Sequence, residues 1–146
     1  MQCLVDISQY GNPRRLSLGT DANRLSMLLS VLHRHAGIQL ADQDVFVNVV
    51  GGVKMEGTSG DVPLILALLS SFTERPIDRT TLAFGEIGLT GEIRPVQSGL
   101  ERLNEAEKQG FTRAIVPFDN APRNKNKIGN MEVVAVKNIQ ELVDLV

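Results

Sequence analysis

M-E-G-T-S-G-D-V-P, residues 55–63, sets a serine in a turn of small residues just ahead of an apolar run. Pro63 is tolerated there because the first helical turn has no intrahelical partner for its missing N–H. Residues 64–72 then carry Leu64, Ile65, Leu66, Ala67, Leu68 and Leu69, apolar nearly all round, which predicts a buried central helix. A hydroxyl raised to a helix N-terminus has two readings. It caps the helix by accepting from a backbone N–H, or it is a nucleophile and needs a base supplied from elsewhere in the chain.

Upstream, residues 3–8 and 15–20 alternate apolar and polar side chains around Gly11-Asn12-Pro13, which predicts an antiparallel pair. Thr20 or Asp21 is placed to cap a helix with Leu25, Leu28, Leu29 and Leu32 on one face, ending near Gly37. Residues 45–50 form a β-branched strand stopped by Gly51-Gly52. Downstream, residues 81–84 read as a short strand and 85–96 as a twisted hairpin. Ser98-Gly99-Leu100-Glu101 has capping-box spacing before a helix that ends near Gln109 and Gly110. Residues 113–117 and 131–136 are strands on either side of a polar loop, and Asn138-Ile139-Gln140-Glu141 repeats the capping spacing before a last short helix. Strands and helices mix without strict alternation, so the expected class is α+β in one compact domain spanning residues 1–146.

Composition narrows the functional classes. At 146 residues with 42% hydrophobic and 22% charged residues the chain is of ordinary globular type. No stretch approaches the roughly 18 apolar residues of a membrane span, and residues 1–5 enter a strand with no secretory signature, so a cytoplasmic protein is expected. The lone Cys3 cannot make an internal disulfide, which fits a reducing compartment. A net charge of −2 gives no global basic signature, so any nucleic-acid contact has to come from a local patch. Aromatic residues are too scarce for a single-strand stacking platform.

Two motifs together carry a resemblance. Gly57-Thr58-Ser59-Gly60 and the later G-E-I-G-L-T-G-E-I-R-P-V, residues 85–96, resemble the proteolytic domain of Lon proteases, whose corresponding stretches read G-P-S-A-G and G-E-I-T-L-R-G-x-V-x-P-I. Asn12-Pro13-Arg14-Arg15, Asn23-Arg24-Leu25, His33-Arg34-His35 and D-Q-D-V-F-V-N-V-V-G-G-V-K, residues 42–54, extend the resemblance over essentially the whole chain. They are similar to the C-terminal Lon-like domain of the RadA/Sms family of bacterial DNA-repair ATPases. The resemblance implies a Lon-like fold. It also implies a hexameric ring motor acting in recombination, with a zinc motif and a RecA-like ATPase core upstream. Neither C-x-x-C nor G-x-x-x-x-G-K-[ST] occurs here, so no cofactor is expected in this chain, and ATP, Mg and Zn belong to the implied upstream domains. A chain that enters a strand at Met1 is expected to be an excised domain.

In Lon enzymes a lysine deprotonates the serine, and the resemblance puts Ser59 at the nucleophile position and Arg102 at the lysine position. A guanidinium with pKa above about 12 is neutral in roughly 10⁻⁵ of molecules or fewer at pH 7, so arginine cannot take the proton. Thr58 and Asp61 also depart from the peptidase turn, and a carboxylate at Asp61 is expected to disfavour an oxyanion. The expectation is a degenerate dyad without catalysis, Ser59 capping its helix and Arg102 pairing with Glu105. Lys54 and Lys108 are the alternative bases of a residual serine peptidase. His33 and His35 fall on different faces of one helix, which argues against a metal pair.

Without catalysis, the resemblance implies a scaffold. Lon-like domains form head-to-tail six-membered rings, and six copies of a modest basic patch would concentrate positive potential on duplex phosphates. The candidates for sequence-independent DNA contact are Arg14, Arg15 and Lys54, then Arg24 and Arg34, with Arg123, Lys125 and Lys127 as a more peripheral cluster. Recombinase or replication proteins are the implied partners of the longer protein, and a pure protein-interaction module is a further alternative.

Overall fold

The structure, a computed structural model, describes residues 1–9, 11–51 and 57–146. The chain order is β1 (Gln2–Ile7), β2 (Arg15–Leu18), α1 (Ala22–Ala36), β3 (Gln43–Asn48), α2 (Asp61–Thr73), β4 (Thr81–Ala83), β5 (Glu86–Ile87), β6 (Ile93–Arg94), α3 (Gly99–Lys108), β7 (Arg113–Pro117), a 3-10 turn (Phe118–Asn120), β8 (Lys127–Ile128), β9 (Met131–Val136) and α4 (Ile139–Val143). Among the described residues the strands form three sheets, ordered β1-β3-β2, β4-β7-β9-β8 and β5-β6. The class is mixed α/β.

The expected hairpin between the first two strands does not form. β3 inserts between them, antiparallel to β1 and parallel to β2. The reason lies in the side chains: Val45 and Val47 of β3 are almost wholly buried, so β3 takes the centre, while the half-exposed alternation of β1 and β2 suits two edges. The unit β2-α1-β3 is therefore a parallel crossover covered by α1.

α1 starts as its sequence predicts. The Asp21 carboxylate accepts from the Asn23 N–H at 2.8 Å, and Gly37, at φ +69°, closes the C-terminus with its N–H on the His33 carbonyl. α2 lies between the first sheet and the rest. Its Val62, Leu64, Ile65, Leu66, Leu68 and Leu69 are all buried, and the Ser71 hydroxyl accepts from the Val5 N–H at 3.0 Å, tying the helix to β1. Leu25, Leu28 and Leu32 of α1 and Ile139 and Leu142 of α4 complete this main core. A second, smaller core packs Leu103 and Ala106 of α3 against Phe84, Ala114, Val116, Met131 and Val133.

The two capping-box spacings behave differently. Asn138 is extended, and its side chain accepts from the Glu141 N–H at 3.0 Å while the Glu141 carboxylate reaches back to the Lys137 N–H at 2.7 Å. Ser98 is left-handed, at φ +59°, and makes no capping bond. Asn120 holds that helix start instead. Its amide accepts from the Val96 N–H at 2.8 Å, donates to the Val96 carbonyl at 3.1 Å, and presses on Gly99, where a Cβ would collide with it.

Burial pushes the Cys3 thiol up from 9.0 to about 12, against a smaller lowering by the N-terminal charge. The folded chain thus keeps the proton at pH values where the unfolded chain has lost it, so this group makes stability fall as pH rises from about 9 towards 12. At pH 8 the native thiol is expected to react with a disulfide reagent on the order of 10³-fold more slowly than the urea-unfolded thiol, read by absorbance.

Candidate functional site

The Ser59 turn is fixed by backbone bonds to Gly85. Gly85 donates to the Ser59 carbonyl at 2.9 Å, Val62 donates to the Gly85 carbonyl at 3.1 Å, and Gly60 bridges Gly85 in parallel. Gly85 sits at φ +147°, and a Cβ there would lie 2.8 Å from Val62 Cγ2 and 3.0 Å from Pro117 Cγ, so the approach needs a residue without a side chain. Gly60, not Ser59, is the residue preceding α2, and no side chain caps that helix. The capping role expected for Ser59 is therefore corrected: its carbonyl, rather than its hydroxyl, makes the contact that holds the turn.

Asp61 opens α2 and is 3% exposed. Arg24, in the first turn of α1, grips it with both arms of the guanidinium: Nε donates to Oδ1 at 2.9 Å and Nη2 donates to Oδ2. Asp61 Oδ2 also accepts from the Ile87 N–H at 2.9 Å, and Arg24 Nη2 reaches the Ile87 carbonyl at 3.3 Å. The hydrogen bonds to Asp61 raise the pKa of Arg24 above its usual value, outweighing the lowering from burial. This cluster joins α1, the start of α2 and β5. It also changes the reading of Asp61, whose charge is compensated by Arg24 and does not stand free beside the turn. One signal for it was present in the sequence, since a lone carboxylate opening a helix that is otherwise apolar needs a buried cation.

Arg102 lies beside Phe84, the residue before Gly85. Its guanidinium carbon lies 5.7 Å from the centroid of the Phe84 ring, and Nε donates to the Gln97 carbonyl at 3.1 Å. Ser59 thus contacts Gly85 and Arg102 the adjacent Phe84, and no hydrogen bond joins Ser59 to Arg102 among the described residues. The expected pair with Glu105 is corrected. The two side chains line one groove of about 450 Å³ with Leu82, Phe84 and Phe111, without forming an ion pair. Lys108 stands at the far end of the ten-residue α3, and Lys54 lies outside the described residues.

Among the described residues, the candidates for DNA contact Arg14, Arg15, Arg24 and Arg34 lie in different surroundings. Arg24 is committed to Asp61, so its assignment to a phosphate patch is corrected. Arg15 donates to the carbonyls of Gln43 and Leu40, the latter at 2.8 Å, and holds the β3 approach rather than facing solvent freely. Arg14 is exposed on the other face of the sheet, but it sits 3.5 Å from Asp44 with its guanidinium over the Phe46 ring, in a row that also contains Asp6. That row carries two carboxylates and one guanidinium. Arg34 is exposed on the last turn of α1. Arg123 and Lys125 are exposed in the turn leading into β8 and Lys127 at its start, and no ion pair engages them among the described residues.

His35 has a structural contact, its Nε2 lying 2.9 Å from the Leu89 carbonyl while the ring abuts Gly91. No group of three or more metal-ligating side chains occurs among the described residues, and none of the helices there is long and apolar enough to cross a membrane.

The family model described as "Subunit ChlI of Mg-chelatase" matches residues 22–120, from α1 to the 3-10 turn. Proteins named DNA repair protein RadA match nearly all of the chain. The Haemophilus influenzae protein is 58% identical over 97% of this chain and 30% of its own length. The Pseudomonas aeruginosa protein is 55% identical over 99% of this chain and 31% of its own length, and the Bacillus subtilis protein 38% identical over 97% and 31%. The chain spans about a third of the length of these relatives.

Proposed function

We propose, from the premise that this chain belongs to the family described as subunit ChlI of Mg-chelatase and is homologous along nearly its whole length to proteins named DNA repair protein RadA, that it is the Lon-like domain of a RadA/Sms-type DNA-repair and recombination ATPase. In that role it is a non-catalytic tier: a scaffold for a hexameric ring that also holds duplex DNA without reading its sequence. The observation that carries the proposal is the 58% identity to a DNA repair protein across 97% of the chain. Arg102 at the position of the expected base supports the non-catalytic part, because a guanidinium is a far poorer general base than a lysine amine.

Arg123, Lys125 and Lys127, which no ion pair engages among the described residues, are the cations best suited to phosphates, and Arg34 is a separate exposed candidate. A cation without an internal carboxylate releases counterions when it meets DNA, and such contacts carry no base information. Duplex binding is therefore expected to be indifferent to sequence, with the logarithm of affinity falling linearly with the logarithm of salt concentration. Changing Arg123, Lys125 and Lys127 together to serine is expected to reduce that slope by about 2–3, on the basis of roughly 0.9 per phosphate contact. Fluorescence anisotropy over a salt series, with solution mass measured on the same samples, tests both halves. A wild-type chain that binds no duplex even at low salt and stays a monomer when concentrated would overturn the proposal.

A further inference from the structure

Pro63, Ala67 and Ser70 recur at i, i+4 and i+7, so the otherwise buried α2 carries one stripe of small, half-buried residues. That stripe lines a groove of about 830 Å³. On one side stand Leu4, Leu16 and Leu18 of the first sheet, 55%, 50% and 56% exposed, and on the other Ile77, Thr81 and Ala83. Among the described residues no charged side chain lines it.

Two strand edges open into this groove. Val5 turns its N–H away from β3, to the Ser71 hydroxyl, and alternation sends the backbone groups of Cys3 to the same side. In β4 the Phe84 N–H donates to the Ile115 carbonyl at 3.3 Å and the Thr80 carbonyl accepts from Thr112 at 2.9 Å, so Thr81 and Ala83 face away from β7. Gly85, on that same outer edge, is paired with the Ser59 turn. Ala83, the next residue along the edge, has no partner for its N–H among the described residues, and the Thr81 hydroxyl is buried without one. The pairing that begins at Gly85 therefore stops where the groove begins. An open edge beside an apolar trough is suited to one more strand.

The size and polarity of the groove say what that strand is. At about 3.4 Å per residue, 4.8 Å between strands and 10 Å between layers, a strand fills roughly 160 Å³ per residue, so the groove takes about five. Five uncharged residues with no ionic anchor are a poor separate ligand, because free association costs at least about 4 kcal/mol of lost motion. A segment already tethered beside the groove avoids most of that cost. Met1 lines this groove, and the relatives named RadA are about three times as long as this chain. We infer that, in a polypeptide of the relatives' length, the segment running into Met1 lies in this groove as an extended, uncharged strand against the open edge of β4. It ties the first sheet to the strand that holds the Ser59 turn. The inference rests on the relationship to the longer proteins and not on DNA binding or on the fate of Ser59.

Amide hydrogen exchange, read by mass spectrometry on this chain and on the full-length polypeptide, tests it. Residues 81–84 are expected to exchange at least about 100-fold more slowly in the full-length polypeptide, while residues 113–117 in the interior strand β7 exchange alike in both. Ala67→Phe puts a ring into the groove, so it should abolish the extra protection in the full-length polypeptide. Ala67 is half-buried and faces open space, so this chain with the same substitution should melt close to the wild type. Equal exchange of residues 81–84 in the two proteins overturns the inference, as does protection that survives Ala67→Phe. Protection of this chain that appears only when it is concentrated identifies a second copy as the occupant and also overturns it. Slowed exchange without duplex binding would count against the proposed function alone.

Discussion

Arg24→Ala is expected to destabilise the chain by about 3–5 kcal/mol, because it leaves the Asp61 carboxylate buried with the Ile87 N–H as its main remaining partner. Against a total stability on the order of 5–15 kcal/mol this is a large share, and at about 3 °C per kcal/mol it lowers the melting temperature by roughly 10 °C. Asp61→Asn should cost less, about 1–2 kcal/mol. The amide still accepts from Ile87, and the Arg24 side chain, 23% exposed, can turn to water. Combining Arg24→Met with Asp61→Asn removes both charges and should recover most of the loss. Urea unfolding of the four proteins gives these differences directly. If Arg24→Ala and Asp61→Asn proved equally mild, the cluster would be a surface-like pair and not the tie between α1, α2 and β5.

Gly85→Ala is expected to have an effect of similar size for a different reason. The backbone at φ +147° is one that residues with a side chain rarely adopt, and the new methyl group would press on Val62 and Pro117. Backbone strain of about 1–3 kcal/mol and overpacking of about 1–3 kcal/mol together predict a loss near 4 kcal/mol. Gly110→Ala is the control. It also has positive φ, +92°, but nothing lies within 4 Å of its Cβ, so only about 1 kcal/mol is expected. Circular dichroism melts would show whether Gly85→Ala stands apart. Equal effects at the two glycines would mean that the close approach of the Ser59 turn to Gly85 does not constrain the fold.

Much of this architecture was legible in the sequence where local chemistry decides it. The apolar run after Pro63 is the central helix, Asp21 and Gly37 bound α1, and residues 113–117 and 131–136 are strands as their patterns predict. The errors occur where distant residues decide. Alternation in the first two strands shows that each is half-buried, but nothing local shows that β3 comes between them. S-x-x-E at Ser98 has the spacing of a cap, yet Asn120 on a later turn holds that helix start and Ser98 turns left-handed. Arg24 reads as one more surface cation until the fold brings it to Asp61, and Arg14 as a phosphate contact until the register sets Asp6 and Asp44 beside it. For the candidate site, the serine turn and Arg102 were readable from the two motifs. Their respective neighbours, Gly85 for the turn and Phe84 for Arg102, were not, because a backbone bridge and a cation–π contact leave no spacing in a sequence.

We propose that the Ser59 turn is retained for structure and carries no activated nucleophile. The most direct test is intact-protein mass after incubation with a fluorophosphonate probe, run on the wild type and on Ser59→Ala. An unactivated hydroxyl predicts no adduct on either protein, and no peptide hydrolysis in a parallel assay. An adduct on the wild type that disappears in Ser59→Ala would show that some other group serves as base and that Ser59 is an activated nucleophile.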